Sequence, residues 1–140
     1  MAAPPPYTGY NFTSTIHRDI NPSTDPTKSD LSQPSKVVLI TGAGRGIGRS
    51  IALQYAAANV ATVIICARTA TELDEVEQDI HSIKPSVKVR KLPLDISNDE
   101  DVAAAATKVK IEEGRLDVLI NNAGASDEWT PIDEGDVKQY

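Results

Sequence analysis

Between Val37 and Gly48 the chain reads Val-Val-Leu-Ile-Thr-Gly-Ala-Gly-Arg-Gly-Ile-Gly, a short β-branched run broken off by four glycines in seven residues. The run has the character of a buried strand, and the glycines permit a tight turn immediately after it. Beyond the turn, Ile47, Ile51, Ala52, Tyr55 and Ala58 recur at helical spacing, and Ala61-Thr-Val-Ile-Ile-Cys66 forms a second apolar run. Strand, helix and strand in that order call for a right-handed crossover, which places the two strands parallel in one sheet.

The alternation continues. Leu73, Val76, Ile80 and Ile83 mark the inner face of a second helix, with Glu72, Asp74, Glu75, Glu77 and Asp79 outside and Pro85 as its stop. Val87, Val89 and Leu92, set among Lys88, Arg90 and Lys91, predict a third, partly exposed strand. Ser97-Asn-Asp-Glu100 reads as a capping box opening an Ala-rich helix through about Glu113, which Gly114 closes. Val118-Leu119-Ile120 is a fourth strand, running into Asn121-Asn122-Ala123-Gly124. The expected class is α/β: a doubly wound parallel sheet of Rossmann type, incomplete, with about four strands in the order 3-2-1-4.

A chain of 140 residues fits one domain. Six of its nine prolines fall before residue 35, among Ser, Thr, Asn and Asp, so residues 1–35 are expected to be a Pro-rich leader with little regular structure and residues 36–140 the folded domain. A formal charge of -6 supplies no basic stripe for nucleic acid or an anionic membrane. The single cysteine, Cys66, excludes an internal disulfide, and no Cys/His spacing suggests a metal site. Val60 to Ala67, the longest apolar stretch, is far short of the roughly 20 residues that cross a bilayer, and with no export signal the cytoplasm is the simplest location.

Glycines between a strand and a helix let backbone N–H groups and the positive helix end hold a pyrophosphate; the structural alternative is a tight turn with close helix-to-sheet contact. A phosphate-transferring P-loop is excluded, because Ile47 and Arg49 stand where its second glycine belongs and no lysine follows Gly48. The cluster also fails Gly-x-Gly-x-x-Gly from Gly42, yet it fits Thr-Gly-x-x-x-Gly-x-Gly from Thr41 to Gly48 at every fixed position. With Asn121-Asn122-Ala123-Gly124 at the end of the fourth strand, the chain from Lys36 onward resembles the short-chain dehydrogenase/reductase family. That resemblance implies that Gly42, Gly46 and Gly48 admit the pyrophosphate of a nicotinamide dinucleotide and that Ile47 contributes a backbone contact. It further implies that Asp95-Ile96 meets the adenine, while Asn121, Ala123 and Gly124 shape the wall beside the adenosine ribose.

An NAD-preferring site of this kind carries a carboxylate at the end of its second strand, about 20 residues beyond the glycines. Ala67 occupies that place here, Arg68 follows it, and Arg45 lies within the glycine turn. Two guanidinium groups converging on a 2′-phosphate favour NADP(H) over NAD(H); the alternative is that both arginines simply solvate their loops.

The resemblance also implies a proton donor, a Tyr in a Tyr-x-x-x-Lys pair with a preceding Ser and an Asn on the fourth helix. None can be placed. Tyr140 ends the sequence, Tyr55 is followed by Ala-Ala-Ala-Asn, and Tyr7 and Tyr10 belong to the leader. The expectation is therefore the NADP(H)-binding part of a short-chain oxidoreductase that interconverts an alcohol and a ketone or aldehyde by hydride transfer. The chain is read as truncated, without catalytic residues and inactive alone. A homo-oligomer is expected only at full length, and the alternative is a non-catalytic dinucleotide-binding or interaction module. Trp129 is expected to pack locally in its loop, Cys66 to be an inert core residue, and His17 and His81 to be solvated.

Overall fold

The structure, a computed structural model, describes residues 20–124. Its elements are β1 (Val37–Thr41), α1 (Gly46–Ala57), β2 (Thr62–Ala67), α2 (Ala70–Ile83), β3 (Lys88–Pro93), α3 (Asp99–Glu113) and β4 (Val118–Ile120). The four strands form one parallel sheet in the order β3-β2-β1-β4, with Leu39 level with Ile64 on one side and Leu119 on the other. The expectations for Trp129, His17, Tyr7, Tyr10 and Tyr140, for residues 1–19 of the leader, and for the start of a fourth helix near Asp127 lie outside the described residues.

The strand alternation divides the core in two. Val38, Ile40, Val63 and Ile65 face Ala52 and Ala56 of α1 and Leu73, Val76 and Ile80 of α2. Val37, Leu39, Ile64, Cys66 and Leu92 point the other way, toward Val109 of α3. Right-handed crossovers explain this division, because β1 to β2 to β3 steps one way across the sheet and β3 to β4 steps back. The reversal brings α3 to the opposite face and sends the connections that leave β1 and β4 to opposite sides of the sheet, which opens a crevice at their carboxyl ends. Of α3 only Val109 is buried, and a groove of about 570 Å³, lined by Val102, Val109, Leu116 and Leu119, lies open beside it.

One inner-face assignment is corrected: Ile83, in the last turn of α2, is 47% exposed because the helix there runs past the sheet. Ile47, in the first turn of α1, is 74% exposed where that helix projects past the sheet into the cleft. The N-cap of α3 is Asn98, whose side chain accepts the Glu100 N–H at 3.0 Å; Ser97 is instead held by the Asp95 carboxylate. Gly114, in the left-handed region at φ 68°, ends α3 as expected.

Residues 20–35 hold Asx turns at Asn21 and Asp25 and a 3₁₀ turn at Ser29–Leu31. Their end is fastened to the domain, with the Gln33 N–H donating to the Ala58 carbonyl at 2.8 Å. At the far end of α3, Glu113 joins three strand residues, accepting from Lys88 at 2.7 Å, Arg90 at 3.0 Å and Thr62 at 3.2 Å. Burial pushes the Glu113 carboxyl up, but these donors outweigh burial and hold it below the usual carboxylate range.

Candidate functional site

The carboxyl ends of the strands open on a cleft of about 690 Å³ at the point where the strand order reverses. α1 begins on its floor. Arg45, the N-cap residue, is extended at φ -154°, no side chain caps the helix, and its first turn holds no acid. The amides of Gly46, Ile47 and Gly48 precede the first intrahelical bond, from Arg49 N–H to the Arg45 carbonyl at 3.3 Å, so they have no partner within the helix and carry the positive end of its dipole.

Close approach builds this floor. A Cβ on Gly48 would collide with the Gly42 carbonyl and the Asn122 side-chain amide. Gly42 itself, at φ 64°, lies against the backbone of Ala123, whose Cα is 2.8 Å from where a Cβ would stand. By contrast, no described residue comes within 4 Å of the Cβ position of Gly46, so among the described residues the space above the helix start is open. Asn122 braces the turn by donating its side-chain N–H groups to the carbonyls of Thr41 at 3.0 Å and Gly42 at 3.2 Å.

The charges are distributed unevenly. Five arginines fall among the described residues. Arg49 pairs with Asp79, Arg90 with Glu113 and Arg115 with Asp117, whereas the side chains of Arg45 and Arg68 make no hydrogen bond or ion pair, and both line the cleft. Two unpaired guanidinium groups in one cleft repel each other and attract an anion, most effectively one they can grip in two-pronged fashion. Asp95 stands at the margin, accepting the Ser97 N–H at 3.0 Å and hydroxyl at 2.8 Å; these bonds, with Arg68 nearby, hold its carboxyl below the usual range.

Of the residues singled out in the sequence, Gly42, Arg45, Gly46, Ile47, Arg68, Asp95, Ile96, Ala123 and Gly124 line this cleft. Gly48 lies beneath its floor, and Thr41 and Asn121 border the apolar groove between the sheet and α3. Two further residues were not anticipated. Asn122 lies inside the Asn-Asn-Ala-Gly motif, but its bracing role depends on β1 lying beside β4; Glu72 has the spacing of an outer-face acid and instead reaches the cleft from α2. Burial pushes the Cys66 thiol up to about 12, leaving it protonated and unreactive. Tyr55 packs half-buried against the core under α1, away from the cleft.

Residues 36–140 match the family described as short chain dehydrogenase. In sequence the chain is 35% identical over 142 residues to the short chain dehydrogenase mpl6 of Monascus purpureus, a match covering 97% of this chain and 47% of that one. In structure it is similar to the L-sorbose reductase of Gluconobacter frateurii complexed with NADPH and L-sorbose, with a TM-score of 0.71, 30% identity, and coverage of 79% of this chain and 41% of that one. It is also similar to YwfH, an NADPH dependent reductase involved in bacilysin biosynthesis, with a TM-score of 0.70, 30% identity, and coverage of 75% and 44%. The chain thus spans about half the length of the curated relatives it matches. The reversed strand order, the glycine turn beneath an uncapped helix, and a match running from Lys36 to Tyr140 together establish that this chain belongs to the short chain dehydrogenase family.

Proposed function

We propose that residues 36–140 are the NADP(H)-binding part of an oxidoreductase that, at the full length of its relatives, interconverts an alcohol and a ketone or aldehyde. The observation that carries this reading is the meeting of the uncapped α1 N-terminus with two unpaired arginines in one cleft. The residues fit the cofactor: the amides of Gly46, Ile47 and Gly48 receive the pyrophosphate under the open space at Gly46, and Arg45 and Arg68 face the 2′-phosphate. Asp95 and Ile96 border the adenine, and Ala123 and Gly124 the ribose. Asn121 borders the groove, so its place in the ribose wall passes to Asn122. Thr41 acts from behind by holding the ends of β1 and β4 together.

A bound dinucleotide would donate or accept the hydride, and this chain's residues would bind and orient it. The 140 residues contain no Tyr-x-x-x-Lys, so the part assigned to them is to bind and orient the cofactor, and no proton donor is named among them. The two neighbours described with NADPH support the choice of cofactor. None of the helices among the described residues is long and apolar enough to cross a membrane, and we place the protein in the cytoplasm. Titrating NADPH and NADH into the chain tests the cofactor choice: tighter binding of NADPH is expected, and a tenfold preference for NADH overturns it.

A further inference from the structure

Gly44 is not one of the fixed glycines of the Thr-Gly-x-x-x-Gly-x-Gly pattern, and its backbone does not lie in the left-handed region. What demands a glycine there is space. A Cβ on Gly44 would collide with the Glu72 carboxylate, lie 2.9 Å from the Glu72 Cβ and lie 3.3 Å from the Ala67 Cβ. Glu72, three residues into α2, therefore lays its side chain directly over the glycine turn, beside the end of β2. Ala67 is where a strand-end acid would stand in an NAD-preferring site, and the neighbouring helix delivers a carboxylate to that same spot.

The ordinary explanation for this glutamate is not realised. Thr69-Ala-Thr-Glu72 spells a capping box, in which the Thr69 hydroxyl would accept from the helix and Glu72 would reach back to the Thr69 N–H. Among the described residues, Thr69 makes no side-chain capping bond, and no hydrogen bond or ion pair engages the Glu72 carboxylate. Glu72 instead lines the cleft together with Arg45 and Arg68, half-buried and without a partner.

We infer that Glu72 is a specificity-determining residue that substitutes for the missing acid at position 67. This inference rests on the dinucleotide reading of the cleft. The Glu72 carboxylate accepts the adenosine ribose 2′-hydroxyl of NAD(H) and repels the 2′-phosphate of NADP(H), opposing the two arginines. The cleft accordingly admits both cofactors, with a preference for NADP(H) that is weaker than two guanidinium groups alone would give. Gly44 is the counterpart that makes room for the glutamate.

The test is calorimetric titration of NADPH and NADH into the full chain, the Glu72→Gln variant and the Glu72→Ser variant, with apo thermal melts alongside. Loss of the carboxylate is expected to tighten NADPH and weaken NADH, moving their affinity ratio about tenfold toward NADPH in both variants, the weight of one hydrogen bond to a charged group. A merely structural glutamate would lower the melting temperature and shift both affinities by the same factor, and an unmoved ratio overturns the inference while leaving the cofactor reading standing. If neither dinucleotide binds any of the three proteins, the cofactor reading falls and this inference with it.

Discussion

The hydroxyl of Thr41 accepts the backbone N–H groups of Asn122 and Ala123, each at 3.0 Å, and so joins the end of β1 to the end of β4 across 81 and 82 positions of sequence. The same hydroxyl donates to the Ile120 carbonyl at 3.3 Å. A three-residue strand has little ladder of its own, so β4 depends on this clasp to hold the cleft wall in register.

Removing the hydroxyl exposes that dependence. Thr41→Val leaves the Ala123 amide without its acceptor and the Asn122 amide with only the Ile120 carbonyl at 3.1 Å, and is expected to destabilise the chain by about 1–3 kcal/mol in urea denaturation, whereas Thr41→Ser keeps the acceptor and most of the stability. Equal losses in the two variants would show that the clasp is unimportant.

Arg68 is expected to act on one cofactor only. Arg68→Gln removes a charge from the cleft that NADH does not need, so NADPH affinity should fall roughly tenfold while NADH changes by less than about twofold. Parallel losses for both would place Arg68 elsewhere than at the 2′-phosphate.

The two faces of the sheet should respond differently to truncation. Leu73 is fully buried between α2 and the sheet, and Leu73→Ala is expected to cost about 2–5 kcal/mol. Leu119 is 53% exposed at the open edge, and Leu119→Ala should cost less than about 1 kcal/mol. Chemical denaturation of both variants checks the difference.

Acid should loosen the first strand. The Arg115 guanidinium, the Val37 N–H at 2.8 Å and the nearby Lys36 hold the Asp117 carboxyl at about 2, below its ordinary value of 3.8. The folded state therefore favours the ionised form, and its contribution to stability is complete above pH 3.8 and is lost as the pH falls through about 2. Asp117→Asn is expected to flatten the stability profile between those values in pH-dependent melts, and an unchanged profile contradicts the assignment.

The sheet order could be read from the sequence because β-branched runs and helical periods alternate cleanly, and crossover handedness leaves few ways to arrange them. What escaped depends on position in space. Ile83 keeps the helical period yet lies in the last turn of α2, past the sheet, so spacing alone assigned it to the inner face. Ser97 and Asn98 both suit an N-cap, and the Asp95 carboxylate decides between them by engaging Ser97. Asn122 braces the glycine turn only because β4 returns beside β1. Glu72 belongs to an acidic helix face by its period and to the cleft by its place in the first turn of α2. A residue at a helix start can serve an open site while the residues one turn later serve the core.

The central claim is that the first amides of α1 hold a dinucleotide diphosphate. Titrating NADPH into the ¹⁵N-labelled chain while following its backbone amide resonances tests this most directly. Saturable shifts centred on Gly46, Ile47 and Gly48 are predicted; saturable binding that leaves those three amides unmoved, or no binding at all, would contradict it.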